Sequence, residues 1–167
     1  MISEWQVIFL IETHPNEAAK KNRLHKYIKL RGQIERLQDE LARRVNRQYI
    51  PATPESDGSK RNPGASDRMA NAVISRMSFE EKAKAKMQAY AEEMEKIEDA
   101  VLDLEDGLEQ QVILLRYITG INDGTKPMPW QEVALTIYGN NDDKDMQAVY
   151  RIHGRALQHI KLEVSEE

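Results

Sequence analysis

Four residues near the C-terminal end, Lys144, Gln147, Ala148 and Arg151, recur at helical intervals and share one side of a predicted helix. Their types suit the edges of base pairs. Arginine grips guanine bidentately, glutamine grips adenine, and alanine fits against a thymine methyl. Tyr150, Arg155 and Lys161 follow on the same segment, where they could hold phosphates and fix the register of a duplex. The chemistry on offer is non-covalent recognition. The plainer reading of any one of these residues is a solvated helix face.

Other chemistries find less. The chain has no Cys, which removes disulfides, thiolate catalysis and Cys-based zinc sites together. The four His (14, 25, 153 and 159) make no useful metal spacing with carboxylates, and His153 reads as a packing or phosphate residue. Asp142-Asp143-Lys144-Asp145 is acidic, but it lacks the central Gly and closing Glu of a calcium loop. No Gly-rich phosphate loop, nucleophile elbow or paired-acid cleft is present. The expectation is a protein without catalytic residues, metal or cofactor.

The elements that must position these residues are legible as three short amphipathic helices between Val112 and Leu162. The first runs from Glu109 to Thr119, ends at Gly120 and turns Val112, Leu115 and Ile118 inward. The second opens at Pro129-Trp130, buries Val133, Ala134 and Ile137, and stops at Gly139. The third is capped by Asp143 or Asp145 and buries Met146, Val149, Ile152, Ala156, Leu157 and Ile160. Small Ala134 allows the close helix crossing that a helix-turn-helix needs.

Three strings carry a family resemblance: Arg116-Tyr117-Ile118, Trp130-Gln131-Glu132-Val133-Ala134, and Val149-Tyr150-Arg151-Ile152-His153-Gly154-Arg155-Ala156-Leu157. With Arg61-Asn62-Pro63 and Met69-Ala70-Asn71-Ala72-Val73 upstream, residues 16 to 162 resemble a family of small phage and prophage proteins. The C-terminal part of that family is similar to region 4 of sigma-70 factors and to the ArpU-like and RinA-like phage transcriptional regulators. The resemblance implies a helix-turn-helix that binds double-stranded DNA, contact with RNA polymerase, and the cytoplasm of a bacterial host. Two departures stand out: the loop ITGINDGTKPMP after Tyr117 is long, and NNDDKD follows Gly139 where the family has a tight turn.

Upstream, a helix is predicted from about residue 16 to 48, with Leu24, Tyr27, Ile28, Leu30, Ile34, Leu37, Leu41 and Val45 on one stripe. Pro51 to Gly64 breaks it and reads as an exposed linker. Ser66 or Asp67 then caps a further helix. Ser78-Phe79-Glu80-Glu81 is a capping-box pattern that could restart it, though one long helix is the preferred reading. Met87, Tyr90, Met94, Ile97, Val101, Leu104 and Leu108 step by three and four in turn, a heptad seam. Gly107 weakens that helix and marks a joint. The seam must bury itself, in cis as an antiparallel hairpin or in trans in a homodimer through the long helices.

Charge is unevenly placed. The net charge is −4, but residues 14–68 hold 13 Lys/Arg against 7 Asp/Glu, while residues 104–167 hold 6 against 11. An acidic head opposes phosphate approach. It favours an alternative of the same fold, a helical interaction module that touches polymerase or another regulator and not DNA. Trp5 to Ile11 (WQVIFLI) is too short to span a bilayer, and no basic segment precedes it as in a secretory signal. It reads as a short strand or a helix end tucked into a core or partner. The expected architecture is all-α: an apolar segment at 1–15, a coiled-coil-like helical hairpin at 16–106 with a linker at 50–65, and a helix-turn-helix domain at 107–167.

Overall fold

The computed structural model describes residues 15–47 and 64–163. The apolar segment at 1–15 and the linker therefore lie almost wholly outside the described residues. Every regular element within them is helical: α1 Pro15–Arg47, α2 Gly64–Leu102, α3 Gly107–Ile113, a π-helical turn Leu114–Thr119, α4 Trp130–Tyr138 and α5 Asp143–His159. The all-α expectation agrees with this. An isolated antiparallel bridge joins Ile121 and Lys126 in the loop before α4. None of the described helices is long and apolar enough to cross a membrane.

The long helices form for the reasons visible in their residues. Pro15 occupies the first turn of α1 with Glu17, and Arg44 and Arg47 lie in its last turn, as the helix dipole favours. α2 runs unbroken through Ser78, so the capping-box pattern does not start a new helix, and Lys84 reaches Glu80 at 2.7 Å one turn away. It begins at Gly64, ahead of the predicted caps Ser66 and Asp67.

The heptad seam is shorter than its pattern. α2 stops at Leu102, and Leu104 is buried in the break while Leu108 is 44% exposed. The cause is Asp106. Its carboxylate accepts hydrogen bonds from the backbone N–H groups of Leu108 (2.8 Å) and Glu109 (3.2 Å), which starts a new helix at Gly107.

The first head helix also differs from expectation. It leaves α-geometry at Leu114, and the N–H of Gly120 donates to the carbonyl of Leu115, five residues back, at 3.0 Å. Such a widened turn shifts the inward register. Val112, Ile113 and Tyr117 are fully buried, whereas Leu115 and Ile118 are only half-buried.

The described chain divides into two compact units. One holds residues 15–32 and 92–163, the other residues 33–47 and 64–91. The first unit carries two apolar clusters. The larger gathers Leu24, Tyr27 and Ile28 of α1, Ile97 and Val101 of α2, Ile113, Tyr117, and Ala156, Leu157 and Ile160 at the end of α5. The smaller gathers Val112, Val133, Ala134, Val149 and Ile152. Each fully buried Val or Leu side chain contributes about 1.5–3 kcal/mol. The second unit is thinly buried. Ala83 is buried and Arg44 lies over the Phe79 ring at 3.5 Å, but Ile74 and Met77 are 64% and 54% exposed.

Candidate nucleic-acid interface

The segment between α4 and α5 is a turn of residues 139–142. Gly139 closes α4 in the left-handed region (φ 72°), and its N–H donates to the carbonyl of Leu135. Asp142 caps α5, accepting from the N–H of Asp145 at 2.9 Å. The cap is therefore Asp142, ahead of both expected caps, Asp143 and Asp145. Its backbone is extended (ψ 168°), as a capping residue requires, whereas Asp143 and Asp145 are already in the first helical turn. Asn140 donates from its side chain to Asp142 at 3.1 Å and accepts from the N–H of Asn141 at 2.9 Å. Half of the extra string NNDDKD is thus helix. What remains is a turn of the length found in helix-turn-helix pairs.

α5 buries Val149, Ile152, His153, Ala156 and Leu157. Lys144, Gln147, Tyr150, Arg151 and Arg155 are exposed, and Ala148 is half-buried. Arg151 donates through Nε to the carbonyl of Gln147 at 3.3 Å, which holds the stem of its side chain along the helix. Arg155 is less free. Its Nε lies 3.7 Å from the carboxylate of Glu109, which is almost fully buried and also meets His159 Nδ1 at 2.8 Å. Lys161, beyond the helix end, is exposed.

The two flanks of the exposed stripe differ. On one lies the Glu109 group. On the other, the Tyr150 ring meets Trp130 edge-on at 5.3 Å, and Trp130 meets His153 at 4.9 Å. Arg116 covers Trp130 at 4.4 Å and donates to the carbonyl of Met128. His153 Nε2 is hydrogen-bonded to the Tyr117 hydroxyl at 3.0 Å, and His25 of α1 packs edge-on against Tyr117 at 5.1 Å.

Burial, with Lys21, Arg116 and His25 nearby, pushes His153 down to about 4. Burial raises Tyr117 to about 12. Both rings are therefore neutral at neutral pH, and His153 holds the fold rather than a phosphate. No three described His, Asp or Glu side chains are placed to hold a metal ion.

Several positioning residues escaped the sequence reading. Lys20 of α1 donates to the carbonyls of Leu157 (3.0 Å) and Gln158 (3.2 Å) at the end of α5. Arg31 donates to the carbonyl of Ile118 at 2.8 Å and to the Tyr27 hydroxyl at 3.0 Å. It also lies against Gly124, in the loop after the π-helical turn. Glu109 showed only as the first residue of a predicted helix. Apart from the one-turn contact of Arg31 with Tyr27, these contacts join residues 50 to 138 positions apart, and no local pattern announces them.

Compared with family models, with curated proteins and with solved structures, the chain matches none of them.

Proposed function

We propose that the protein is a non-enzymatic, phage- or prophage-type transcriptional regulator that binds double-stranded DNA in the cytoplasm of a bacterial host. A helical hairpin formed by α1 and α2 would carry a helix-turn-helix of α4 and α5. One observation carries this reading: a four-residue turn opened by Gly139 joins two helices over a shared core of Ala134 and Val149, and leaves Lys144, Gln147 and Arg151 exposed on the second helix. That is the arrangement a reading helix requires. In each unit, contacts between α1 and α2 support the hairpin, from Tyr27 to Glu98 in one and from Arg44 to Phe79 in the other.

In this reading Lys144, Gln147 and Arg151 face base edges, Ala148 borders them, and Tyr150 and Lys161 approach the backbone. Arg155, shared with Glu109, contributes least. A single head binds weakly, so two copies joined through the long helices give useful affinity. Replacing Arg151 by Ala is expected to cost about 1–3 kcal/mol on the preferred duplex and to relax base choice at one position. Unchanged binding would remove α5 as the reader.

The acidic head favours a second reading, an interaction module that docks on polymerase or another regulator without touching DNA. Asp142, Asp143 and Asp145 crowd the start of α5, where phosphates would approach. A salt titration separates the two. Duplex binding falls steeply with salt, whereas an apolar helix contact does not.

A further inference from the structure

Resting on the DNA-reading proposal, we infer a separate phosphodiester-binding site on α1, formed by Lys21 and Lys29. Residues 15–32 of α1 hold six Lys/Arg and one Asp/Glu, and the structure accounts for four of the six cations. Lys20 donates to carbonyls at the end of α5, and Arg31 donates to the carbonyl of Ile118. Arg23 and Lys26 pair with Glu93 on α2. Lys21 and Lys29 remain, exposed, in no ion pair with any described residue. They lie four residues either side of His25, about 12 Å apart along the helix.

Their position matters because the head is acidic. Lys20 fastens this part of α1 to the C-terminal end of α5, and His25 fastens it to Tyr117. Contacts run on from Tyr117 to His153, Trp130 and Tyr150, to the edge of the exposed stripe of α5. Burial first, and then Lys21, Arg116 and Lys29, disfavour a proton on His25, so both ammonium groups lie near the contact of α1 with Tyr117. Asp142, Asp143 and Asp145 sit at the opposite end of the same helix. A duplex lying along α5 meets repulsion at the helix start; where it reaches α1, fastened by Lys20 to the far end of α5, it meets two ammonium groups that no described residue pairs. The phosphate neutralisation that the head lacks is thus supplied from α1.

The test uses the full chain and the duplex preferred by the wild-type protein, with fluorescence anisotropy read across a salt series. Each phosphate contact contributes about 0.9 to the slope of log K against log salt. The double variant Lys21→Gln/Lys29→Gln is expected to lose roughly 2 from that slope. It should weaken binding roughly tenfold to hundredfold at physiological salt while selecting the same bases. Lys26→Gln, which removes a cation already paired with Glu93, should keep the wild-type slope.

An unchanged slope in the double variant overturns the inference and leaves the reading helix standing. So does an equal loss in Lys26→Gln, which would indicate net charge rather than a site. Weaker binding with an unchanged slope also overturns it, as a structural effect. If the wild-type protein binds no duplex at low salt, this site and the reading proposal fall together.

Discussion

At the scale of the residue, the burial of His153 ties the stability of the head to pH. Its ordinary pKa of 6.5 falls to about 4 in the fold, chiefly through burial. A base with a depressed folded pKa stabilises the fold above its unfolded pKa, and that stability is lost as pH falls. Between pH 6.5 and 4 the unfolded chain takes up the proton and the folded chain does not. The loss should reach about 3 kcal/mol by pH 4 and then level off. Urea denaturation at pH 7, 5.5 and 4.5 reads it directly. The His153→Gln variant should show a flatter dependence over that window; an identical dependence would mean that His153 is not the group responsible. The sequence marked His153 as a motif residue but left its role open between packing and phosphate. The register of α5 places it beside Ile152 on the buried arc, and burial decides the matter.

At the scale of the element, the loop between the π-helical turn and α4 is held by α1. Asn122, Asp123 and Gly124 all have positive φ (51°, 57° and 79°), and the N–H of Gly124 donates to the carbonyl of Ile121 at 3.1 Å. A Cβ on Gly124 would meet the Arg31 guanidinium, which itself donates to Ile118. Gly124→Ala should therefore destabilise by about 2 kcal/mol, through left-handed strain and through displacing Arg31. Adding Arg31→Ala should cost less than the sum of the two single changes, because the collision is then gone. Simple additivity in thermal or urea melts would contradict this contact.

Elements with a sustained period were readable from the chain. The stripes of α1, α4 and α5 and the stop at Gly139 follow from spacings of three and four and from one left-handed glycine. The π-helical turn was not readable. Leu114 to Thr119 fits an α-helix equally well by composition, and the widened turn shows only in which residues are buried. The start of α5 was misplaced by one or three residues because five of the six residues from Asn140 to Asp145 could cap it. Arg31 and Gly124 meet across 93 positions, so neither residue signals the other from the sequence.

At the scale of the molecule, the second unit leaves apolar surface uncovered. Val45, Val73, Ile74 and Met77 are exposed at 45%, 36%, 64% and 54%. A helix with an apolar stripe gains stability only by covering it. In the proposed regulator a second copy covers it, joining two heads. Sedimentation velocity should find a dimer for the wild-type chain and a monomer for Ile74→Lys/Met77→Lys, with helix content unchanged. A wild-type monomer at tens of micromolar would contradict the dimer and leave each head to bind alone.

If α5 reads base sequence, as proposed, selection of sites from random DNA must reveal it. The purified full chain is offered a random duplex pool at low salt, and the retained molecules are sequenced over several rounds. A base-reading α5 enriches a motif, with a guanine whose preference relaxes when the selection is repeated with Arg151→Ala. A retained pool as random as the starting one, or a motif unaltered by Arg151→Ala, would contradict it.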